Sequence, residues 1–322
     1  MKPTVVLTRR WPSEVEAVLA ERYTLLKNSE DAPFSQQQMR QALCEADAVL
    51  PTVTDKLDAA VFAGIDCRAK IIANYGVGYS HIDTVAAKAA GIVVSNTPDV
   101  LSDCTADIAM TLMLMAARRA AEGEREVREN RWTGWRPTHL VGRKVSGKVL
   151  GIVGYGRIGQ AMAQRAHHGF GMAIKVFNRS PVPAQQLAQH GAEQCGTLPD
   201  LLAASDFVSL HCPGGESNRY LINAEALSQM KASAYLINTA RGEVVDDAAL
   251  IAALRSNAIA GAGLDVFEGE PQINPAYREL QNAVLLPHLG SATEDTRVAM
   301  GMRVAKNLDA FFDGHEPPDR VA

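Results

Sequence analysis

The chain lacks any apolar run long enough to cross a membrane as a helix. Its most apolar stretch, residues 108–117, falls well short of the roughly 20 residues that such a helix needs. The apolar stretch near the amino terminus is also too short for a signal peptide. We therefore expect a cytoplasmic protein that has no membrane partner.

The chain also lacks an excess of basic residues, because 32 lysines and arginines stand against 36 aspartates and glutamates, with a net charge of −4. A protein that binds DNA or RNA usually carries basic residues that neutralise phosphates along the nucleic acid. This composition therefore argues against a nucleic-acid partner. No long run of like charge suggests an interaction tail.

Cysteine is scarce, and the five residues are scattered without any C-x-x-C pair. An odd number at such spacings indicates neither a disulfide framework nor a zinc site. We expect free thiols in a reducing compartment and no metal site. The cysteines are Cys44, Cys67, Cys104, Cys195 and Cys212.

The chain does have a regular alternation of short β-branched runs and helical patterns. Such alternation is typical of βαβ units and parallel sheets. Because 322 residues exceed the usual size of one core, we predict two α/β domains. The predicted strands cover residues 5–8, 48–50, 71–74 and 92–94, and then 149–153, 174–177, 207–210, 235–238, 261–264 and 284–286.

The two sets of strands meet at residues 96–99, where Asn-Thr-Pro-Asp is typical of a turn followed by a helix start. A single helix is predicted over residues 100–121. Its apolar residues exceed one face, which indicates burial in the core or against another subunit. The last helical pattern, residues 294–312, could pack back on the first domain. The predicted domains are residues 1–98 with 290–322, and residues 99–289.

The strongest local motif is a G-x-G-x-x-G sequence that directly follows the predicted strand at residues 149–153 and precedes a helical pattern. Glycines there allow the backbone to approach a pyrophosphate, and the helix N-terminus faces the phosphate charge. The same glycines could serve only a sharp turn, but the strand–turn–helix context favours a dinucleotide site. The predicted cofactor residues of the motif are Gly154, Gly156, Arg157, Ile158 and Gly159.

The end of the next strand carries Asn178, Arg179 and Ser180, where an NAD site usually has an aspartate or glutamate for the ribose 2′-hydroxyl. With no carboxylate there to repel a 2′-phosphate, Arg179 and Ser180 can bind that phosphate. We therefore predict NADP(H) as the preferred cofactor. In the alternative, Arg179 is a solvated loop residue that stacks on adenine, and NAD(H) is used.

Three later segments each place one polar residue after a strand: Arg241, Glu270 and His288. Carboxyl ends of parallel strands meet at one edge of a sheet, so these side chains can converge. Reduction of a keto acid needs a cation for the carboxylate and ketone, a proton donor, and a group that keeps the donor charged. Arginine, histidine and glutamate suit these roles in turn. Taken alone, a residue of each of these types after a strand is more often structural than catalytic.

Together the segments resemble the D-isomer-specific 2-hydroxyacid dehydrogenase family, and within it the glyoxylate/hydroxypyruvate reductases. The resemblance covers essentially the whole chain, with its motifs in the family's order. The matching segments are residues 74–83, 149–159, 211–213, 238–243, 263–271, 287–288 and 311–318.

The resemblance implies a Rossmann-type doubly wound parallel sheet for the dinucleotide-binding domain and a smaller flavodoxin-like α/β fold for the substrate-binding domain. It also implies an oxidoreductase whose Arg–Glu–His catalytic set maps onto Arg241, Glu270 and His288. In such an enzyme the substrate would enter a cleft between the domains.

Other roles are implied by the resemblance alone. Backbone amides near Val77 and Gly78 would bind the substrate carboxylate, together with Arg241 and His288. Asp265 would meet the nicotinamide, and residues around Gly290 would close over it. The residues implied to line the cofactor cleft are Cys212, Pro213, Thr239 and Ala240.

The resemblance also implies a homodimer that is joined partly through the helix at residues 100–121. Trp135 lies in a segment that resembles one reaching toward the neighbouring subunit's active site, where a bulky ring would favour small keto acids. In the alternative, Trp135 is only an interface or core aromatic.

The expected activity is the NADPH-dependent reduction of glyoxylate to glycolate and of hydroxypyruvate to D-glycerate. Two other readings stay open. One is another chemistry in the same family, such as reduction of a longer keto acid like 2-ketogluconate, or phosphite oxidation. The other is a dinucleotide-binding corepressor without enzymatic activity, which the missing basic face disfavours.

Overall fold

A computed structural model describes residues 2–322 of the chain. The chain forms two compact units. Unit 1 consists of the chain up to Leu101 with Thr293–Ala322, and unit 2 is Ser102–Ala292. These limits lie three residues after the boundaries expected at 98/99 and 289/290. The assignment of the units to substrate and dinucleotide binding stays a prediction. Among the described residues, no helix has the length and apolar character that a membrane span requires.

Unit 1 contains a five-stranded parallel sheet with the order β2-β1-β3-β4-β5. This 2-1-3-4-5 order is that of flavodoxin-like folds, so the expected fold of this unit is confirmed. The strands are β1 (Thr4–Leu7), β2 (Thr24–Lys27), β3 (Ala48–Leu50), β4 (Ile71–Ala73) and β5 (Val93–Ser95).

Unit 2 contains a seven-stranded parallel sheet with the order β12-β11-β10-β9-β6-β7-β8. Counted from β6, the order 3-2-1-4-5-6 with one added strand is the doubly wound arrangement of dinucleotide-binding domains, as expected. The strands are β6 (Val149–Val153), β7 (Ala173–Phe177), β8 (Ala192–Gln194), β9 (Phe207–Leu210), β10 (Tyr235–Asn238), β11 (Gly261–Leu264) and β12 (Ala283–Leu285).

Helices connect the strands, and several begin at a side chain that accepts a hydrogen bond from the first turn, such as Ser35, Asp83 and Asp246. The helices are α1 (Ser13–Arg22), α2 (Gln36–Glu45), α3 (Ala59–Phe62), α4 (Thr84–Ala89), α5 (Ser102–Ala117), α6 (Ala120–Arg128), α7 (Arg157–Gln164), α8 (Ala184–Ala188), α9 (Leu198–Ala204), α10 (Ala224–Ser228), α11 (Asp247–Arg255) and α12 (Glu294–Phe312).

The sheet of unit 2 is covered on both faces, because successive residues of a strand point to opposite sides. On β10, Ile237 packs in a core with Leu112 of α5, whereas Leu236 packs in a second core with Leu254 of α11. All four side chains are buried. The two apolar layers hold the strand ends at fixed positions, which is what the candidate site requires.

The carboxyl-terminal helix α12 belongs to unit 1, where it packs against α1 and β4. Asn307 on α12 is fully buried and donates a hydrogen bond to the backbone oxygen of Asn96 at 3.1 Å. The hydroxyl of Tyr23 donates to Asp309 at 2.6 Å. Both ends of the chain therefore build this unit.

The single helix expected over residues 100–121 is wrong, since α5 ends at Ala117 and α6 begins at Ala120. Arg119 between them has a left-handed φ of 52°. The amide of Arg143 donates to the backbone oxygen of Ala117 at 2.7 Å, and Gly142 packs directly against that oxygen. A later segment of the chain thus satisfies the last turn of α5 and ends the helix, which pattern alone does not reveal.

Two strands, β2 and β8, were not predicted. Both lie at an edge of their sheet. β2 is largely exposed, and β8 is three residues long with the sequence Ala-Glu-Gln. Short and exposed edge strands carry no apolar pattern, so sequence reasoning has little signal for them.

Candidate active site

The candidate site of unit 2 lies where its parallel strands end. All the predicted site residues of this unit except Trp135 lie in the loops that follow β6, β7, β9, β10 and β11, in the first turn of α7, or in the turn after β12. The sheet order reverses between β6 and β9, and ligands of open α/β sheets bind at such a position.

The glycine motif after β6 is packed so tightly that side chains would not fit. Gly154 has a φ of +92°, and a Cβ atom there would lie 2.6 Å from the amide nitrogen of Cys212. A Cβ atom on Gly159 would lie 2.3 Å from the backbone oxygen of Gly154. By contrast, Gly156 is exposed, faces open space and precedes α7 without any side-chain cap. The loop therefore fits a pyrophosphate at the start of α7.

Asn178 holds the loop after β7 against the glycine motif. Its Oδ1 atom accepts a hydrogen bond from the amide of Tyr155 at 3.3 Å, and its Nδ2 atom donates to the backbone oxygen of Ser180 at 3.0 Å. Gln194 on β8 also donates to that oxygen, at 3.2 Å. Arg179 and Ser180 are exposed, so both are accessible to a ligand.

The loop after β9 is uncharged at its base. Burial lowers the pKa of His211 to about 3 and raises the pKa of the Cys212 thiol to about 11. His211 contacts Ser209 through Nε2 at 2.9 Å, whereas its buried Nδ1 atom has no partner among the described residues. The exposed Pro213 is fixed through its backbone oxygen, which accepts from Asn218 at 2.8 Å. The base of this loop therefore adds no charge beside the proposed phosphate site.

The loop after β10 presents Thr239, Ala240 and Arg241. The Oγ1 atom of Thr239 is buried and has no partner among residues 2–322, which is consistent with a polar ligand there. Asn238 shapes the loop, because its side chain accepts from the Ala240 amide and donates to the Arg241 backbone oxygen, both at 3.0 Å. Sequence reasoning gave Asn238 no role, although an asparagine at a strand end is typical of such turns.

The guanidinium of Arg241 lies in a charged environment. Its Nη1 atom donates to the backbone oxygen of Ala240 at 2.6 Å. Burial lowers the pKa of Arg241, whereas the charges of Glu243 and Glu270 oppose that change. An arginine stays protonated under these conditions, so the site keeps one permanent cation beside two carboxylates.

Glu270 and His288 form a direct pair. The Nδ1 atom of His288 lies 2.8 Å from Oε2 of Glu270, and Oε1 of Glu270 accepts from the Phe267 amide at 2.8 Å. Burial would raise the pKa of Glu270, but the hydrogen bond and charge of His288 hold the pKa below its usual value. The contact with Glu270 therefore fixes the orientation of the His288 ring.

Asp265 fixes the turn that carries His288. Its carboxylate accepts hydrogen bonds from the amides of Leu289 at 2.7 Å and Gly290 at 2.8 Å, while its backbone oxygen accepts from the His288 amide at 2.9 Å. These bonds support a left-handed φ of 57° at His288. Burial raises the pKa of Asp265, and the two amides oppose the rise. Its proposed contact with nicotinamide stays a prediction.

Gly290 is tied to α5 by a residue that sequence reasoning did not identify. Thr105 donates from Oγ1 to the Gly290 backbone oxygen at 3.1 Å, and Thr105 is buried. A threonine inside an apolar helix carries no local signal for this contact. The helix therefore contributes to the turn that carries His288.

In unit 1, Val77 and Gly78 follow β4 with their amides available. The backbone oxygen of Val77 accepts from Asn96 at 2.8 Å and that of Gly78 accepts from Asn74 at 3.1 Å. Neither amide donates a hydrogen bond within the described chain. Two unused backbone donors in one turn suit an anionic group.

Within residues 2–322, Trp135 is the most exposed large apolar side chain, with 82% of its surface accessible. Trp132 nearby is also exposed, as are Val127 and Val141 in the same part of the chain. Trp135 is therefore not a core residue of unit 2. This excludes the alternative in which Trp135 is only a core aromatic.

Comparison with known proteins adds to this geometry. The sequence profile described as "D-isomer specific 2-hydroxyacid dehydrogenase, NAD binding domain" matches residues 110–290. A glyoxylate reductase of Thermococcus kodakarensis is 44% identical, with coverage of 100% of this chain and 96% of that protein. A glycerate dehydrogenase of Hyphomicrobium methylovorum is 39% identical, with 97% of each chain covered.

Solved structures show the same relationship. A D-isomer specific 2-hydroxyacid dehydrogenase from Polaromonas sp., described as putative in its source, has a TM-score of 0.92 at 40% identity, with 100% of both chains covered. An NADPH-dependent glyoxylate/hydroxypyruvate reductase from Sinorhizobium meliloti, solved with NADP and malonate, has a TM-score of 0.89 at 34% identity. That match covers 100% of this chain and 97% of the other.

The burial of His211 predicts a pH dependence of stability. Below pH 6.5 the unfolded chain binds a proton at this histidine, whereas the folded chain, with a pKa of about 3, does not. Stability is therefore lost as the pH falls from 6.5 toward 3. We expect His211→Gln to reduce the loss of unfolding free energy between pH 7 and pH 4.5 by on the order of 2 kcal/mol.

Urea unfolding of both proteins at the two pH values measures this difference. The control is His315→Gln, because His315 is exposed in the folded chain. An equal loss of stability in wild type and His211→Gln would show that the buried ring is not responsible.

Proposed function

The chain belongs to the D-isomer specific 2-hydroxyacid dehydrogenase family, and we propose that it reduces glyoxylate to glycolate and hydroxypyruvate to D-glycerate with NADPH. Membership makes it an oxidoreductase that uses a nicotinamide dinucleotide. The observation that carries the proposal is the 2.8 Å contact between His288 and Glu270 in a unit that also holds the glycine motif. The named activities of the relatives support the class of small 2-keto acids.

The proposed catalytic set consists of Arg241, Glu270 and His288. NADPH, when bound, supplies the hydride that reduces the keto carbon. Arg241 holds the substrate carboxylate and polarises the ketone, because its guanidinium offers several donors and a fixed charge. In unit 1, the unused amides of Val77 and Gly78 are proposed to bind a carboxylate.

His288 supplies the proton. Its Nδ1 atom is engaged by Glu270, which leaves Nε2 as the nitrogen that protonates the developing alkoxide. The products are the hydroxy acid, the oxidised cofactor and a neutral imidazole, which takes up a proton from water afterwards. Glu270 keeps the ring oriented and favours its charged form before transfer.

The cofactor preference is proposed from the loop after β7. Asn178 is neutral, and its Nδ2 atom donates to Ser180, which a carboxylate cannot do. Arg179 and Ser180 are exposed beside it and would bind the 2′-phosphate. An Arg179 that only stacked on adenine would give no preference for NADPH.

The first measurement is therefore steady-state oxidation of NADPH and of NADH with glyoxylate and hydroxypyruvate. We expect wild type to prefer NADPH with both acids. Asn178→Asp should lower the ratio of kcat/KM for NADPH to that for NADH by about tenfold, which corresponds to about 1.4 kcal/mol of phosphate repulsion. Asn178→Ser, which loses the Nδ2 donor without adding charge, separates loop geometry from repulsion. Equal or better use of NADH by wild type would contradict the cofactor proposal and leave the catalytic set untouched.

Removal of the proton donor should stop turnover without preventing cofactor binding. We expect His288→Ala to lower kcat by about 10²–10⁴-fold, the usual contribution of a general acid. The affinity for NADPH, measured by fluorescence titration, should stay within about twofold, because the proposed phosphate contacts lie on other loops. His168→Ala, at an exposed histidine of the same unit, is the control. If His288→Ala turned over at the wild-type rate at neutral pH, that result would contradict the proposed mechanism.

We also propose a homodimer in which Trp135 lies near the partner's active site. The exposed apolar side chains around Trp135 support an interface in this part of unit 2. We expect Trp135→Ala to lower kcat/KM for glyoxylate by about tenfold, the effect of losing roughly 1–2 kcal/mol of substrate packing. Val85→Ala, at an exposed apolar side chain of unit 1, is the control.

Analytical ultracentrifugation of the wild type at micromolar concentration tests the dimer. Sedimentation as a monomer would contradict the assembly, whereas unchanged kinetics in Trp135→Ala would contradict only the substrate role.

A further inference from the structure

One short segment of unit 2 contacts both loops that carry the proposed catalytic residues. Its main chain makes two hydrogen bonds to the first loop. The amide of Tyr220 donates to the backbone oxygen of Glu243 at 2.8 Å, and the amide of Ile222 donates to the backbone oxygen of Val244 at 3.0 Å. Glu243 is two residues after Arg241. The segment is therefore joined by its main chain to the loop that positions the arginine.

The side chains of the same segment reach the other loop. The hydroxyl of Tyr220 lies 2.9 Å and 3.1 Å from the two carboxylate oxygens of Glu268. Arg219 donates from Nη2 to Glu268 at 2.5 Å and to the Tyr220 oxygen at 2.8 Å, with its guanidinium carbon 4.4 Å from the centre of the tyrosine ring. Glu268 is two residues before Glu270, which holds His288. The three side chains form a closed set of hydrogen bonds, which we call the clamp.

The two loops joined by the clamp also touch each other directly. A Cβ atom on Gly242 would lie 1.9 Å from the carbonyl carbon of Phe267 and 2.2 Å from the amide nitrogen of Glu268. There is no space between the loops to absorb a displacement. A shift at Glu268 is therefore passed to the backbone beside Arg241 as well as to Glu270.

The backbone of the clamp is held in an unusual conformation. Tyr220 has a φ of +50°, in the left-handed region that a residue with a bulky side chain rarely adopts. Such conformations persist where the surroundings impose them, and they occur frequently at functional sites. Here the imposed conformation directs the tyrosine hydroxyl to one loop while its amide bonds the other.

We propose that Arg219, Tyr220 and Glu268 are positioning residues that keep Arg241 and the Glu270–His288 pair in register for proton and hydride transfer. The proposal rests on the proposed function, since it assumes that those three residues act on the substrate. The ion pair is partly exposed, with 41% of the Arg219 side chain and 32% of the Glu268 side chain accessible. Exposed ion pairs add little to folding stability. Small displacements of reacting groups, however, reduce rates strongly.

The test compares Tyr220→Phe, Glu268→Gln and Glu268→Ala with wild type. Tyr220→Phe removes the hydroxyl and keeps the ring. Glu268→Gln keeps an acceptor for the hydroxyl but removes the ion pair, and Glu268→Ala removes both. Glu279→Gln is the matched control, because it breaks an exposed ion pair with Arg255 elsewhere in unit 2.

We expect kcat to fall about fivefold in Tyr220→Phe, less in Glu268→Gln and more in Glu268→Ala, with unchanged affinity for NADPH and nearly unchanged Tm. The alkaline limb of the kcat/KM profile should move to lower pH, because a loosened carboxylate favours the imidazolium less. Glu279→Gln should match wild type in every measurement.

A second measurement needs no substrate. In ¹⁵N-histidine NMR spectra, Tyr220→Phe should shift or broaden the ring resonances of His288, whereas Glu279→Gln should not. The proposal would be overturned if Tyr220→Phe and Glu268→Ala both kept the kcat, the pH profile and the His288 resonances of the wild type. Losses of kcat that only follow a lowered Tm would also overturn it, because they would indicate a structural role.

Failure of the proposed function has a different signature. In that case His288→Ala keeps turnover, or wild type turns over neither acid. The effect of Tyr220→Phe on the His288 ring resonances could still be measured, and it would decide whether the clamp positions that ring.

Discussion

The chemistry proposed for unit 2 depends on keeping the His288 ring 2.8 Å from the Glu270 carboxylate. The two residues lie on different loops, and each loop is fixed by contacts of its own. Asp265 binds the turn of His288 through two backbone amides, and the Phe267 amide binds Glu270. The hydrogen bond between His288 and Glu270 can be no more rigid than the two loops that carry them. Most of the polar contacts near the site therefore fix the backbone of these loops.

Close backbone packing is the second constraint. Gly154, Gly159 and Gly242 each stand where a Cβ atom would lie within 2.6 Å of another backbone atom. At Gly154 and Gly159 the result is a tight loop at the start of α7, which suits the proposed pyrophosphate site. At Gly242 the result is contact between the arginine and glutamate loops. The same residue type thus shapes the proposed cofactor site in one place and aligns the proposed catalytic groups in another.

Much of this arrangement could be predicted from the sequence. The βαβ alternation and the glycine motif depend on local spacing, so they indicated the parallel sheets and the candidate dinucleotide site, whereas the two fold types were implied by the family resemblance. Arg241, Glu270 and His288 follow strands, and the sheet order brings their loops to one edge. Edge strands β2 and β8 escaped prediction because they are short and lack buried apolar residues.

By itself the sequence determined which residues could do chemistry, because residue type and position after a strand are local properties. Only the tertiary structure decided how they are held. The end of α5 at Ala117 depends on Arg143, and the turn of Gly290 depends on Thr105, 185 residues away in the chain. The contact of Tyr220 with Glu268 spans 48 residues. Such contacts follow from the packing of loops against one another, which no periodicity or motif in the sequence encodes.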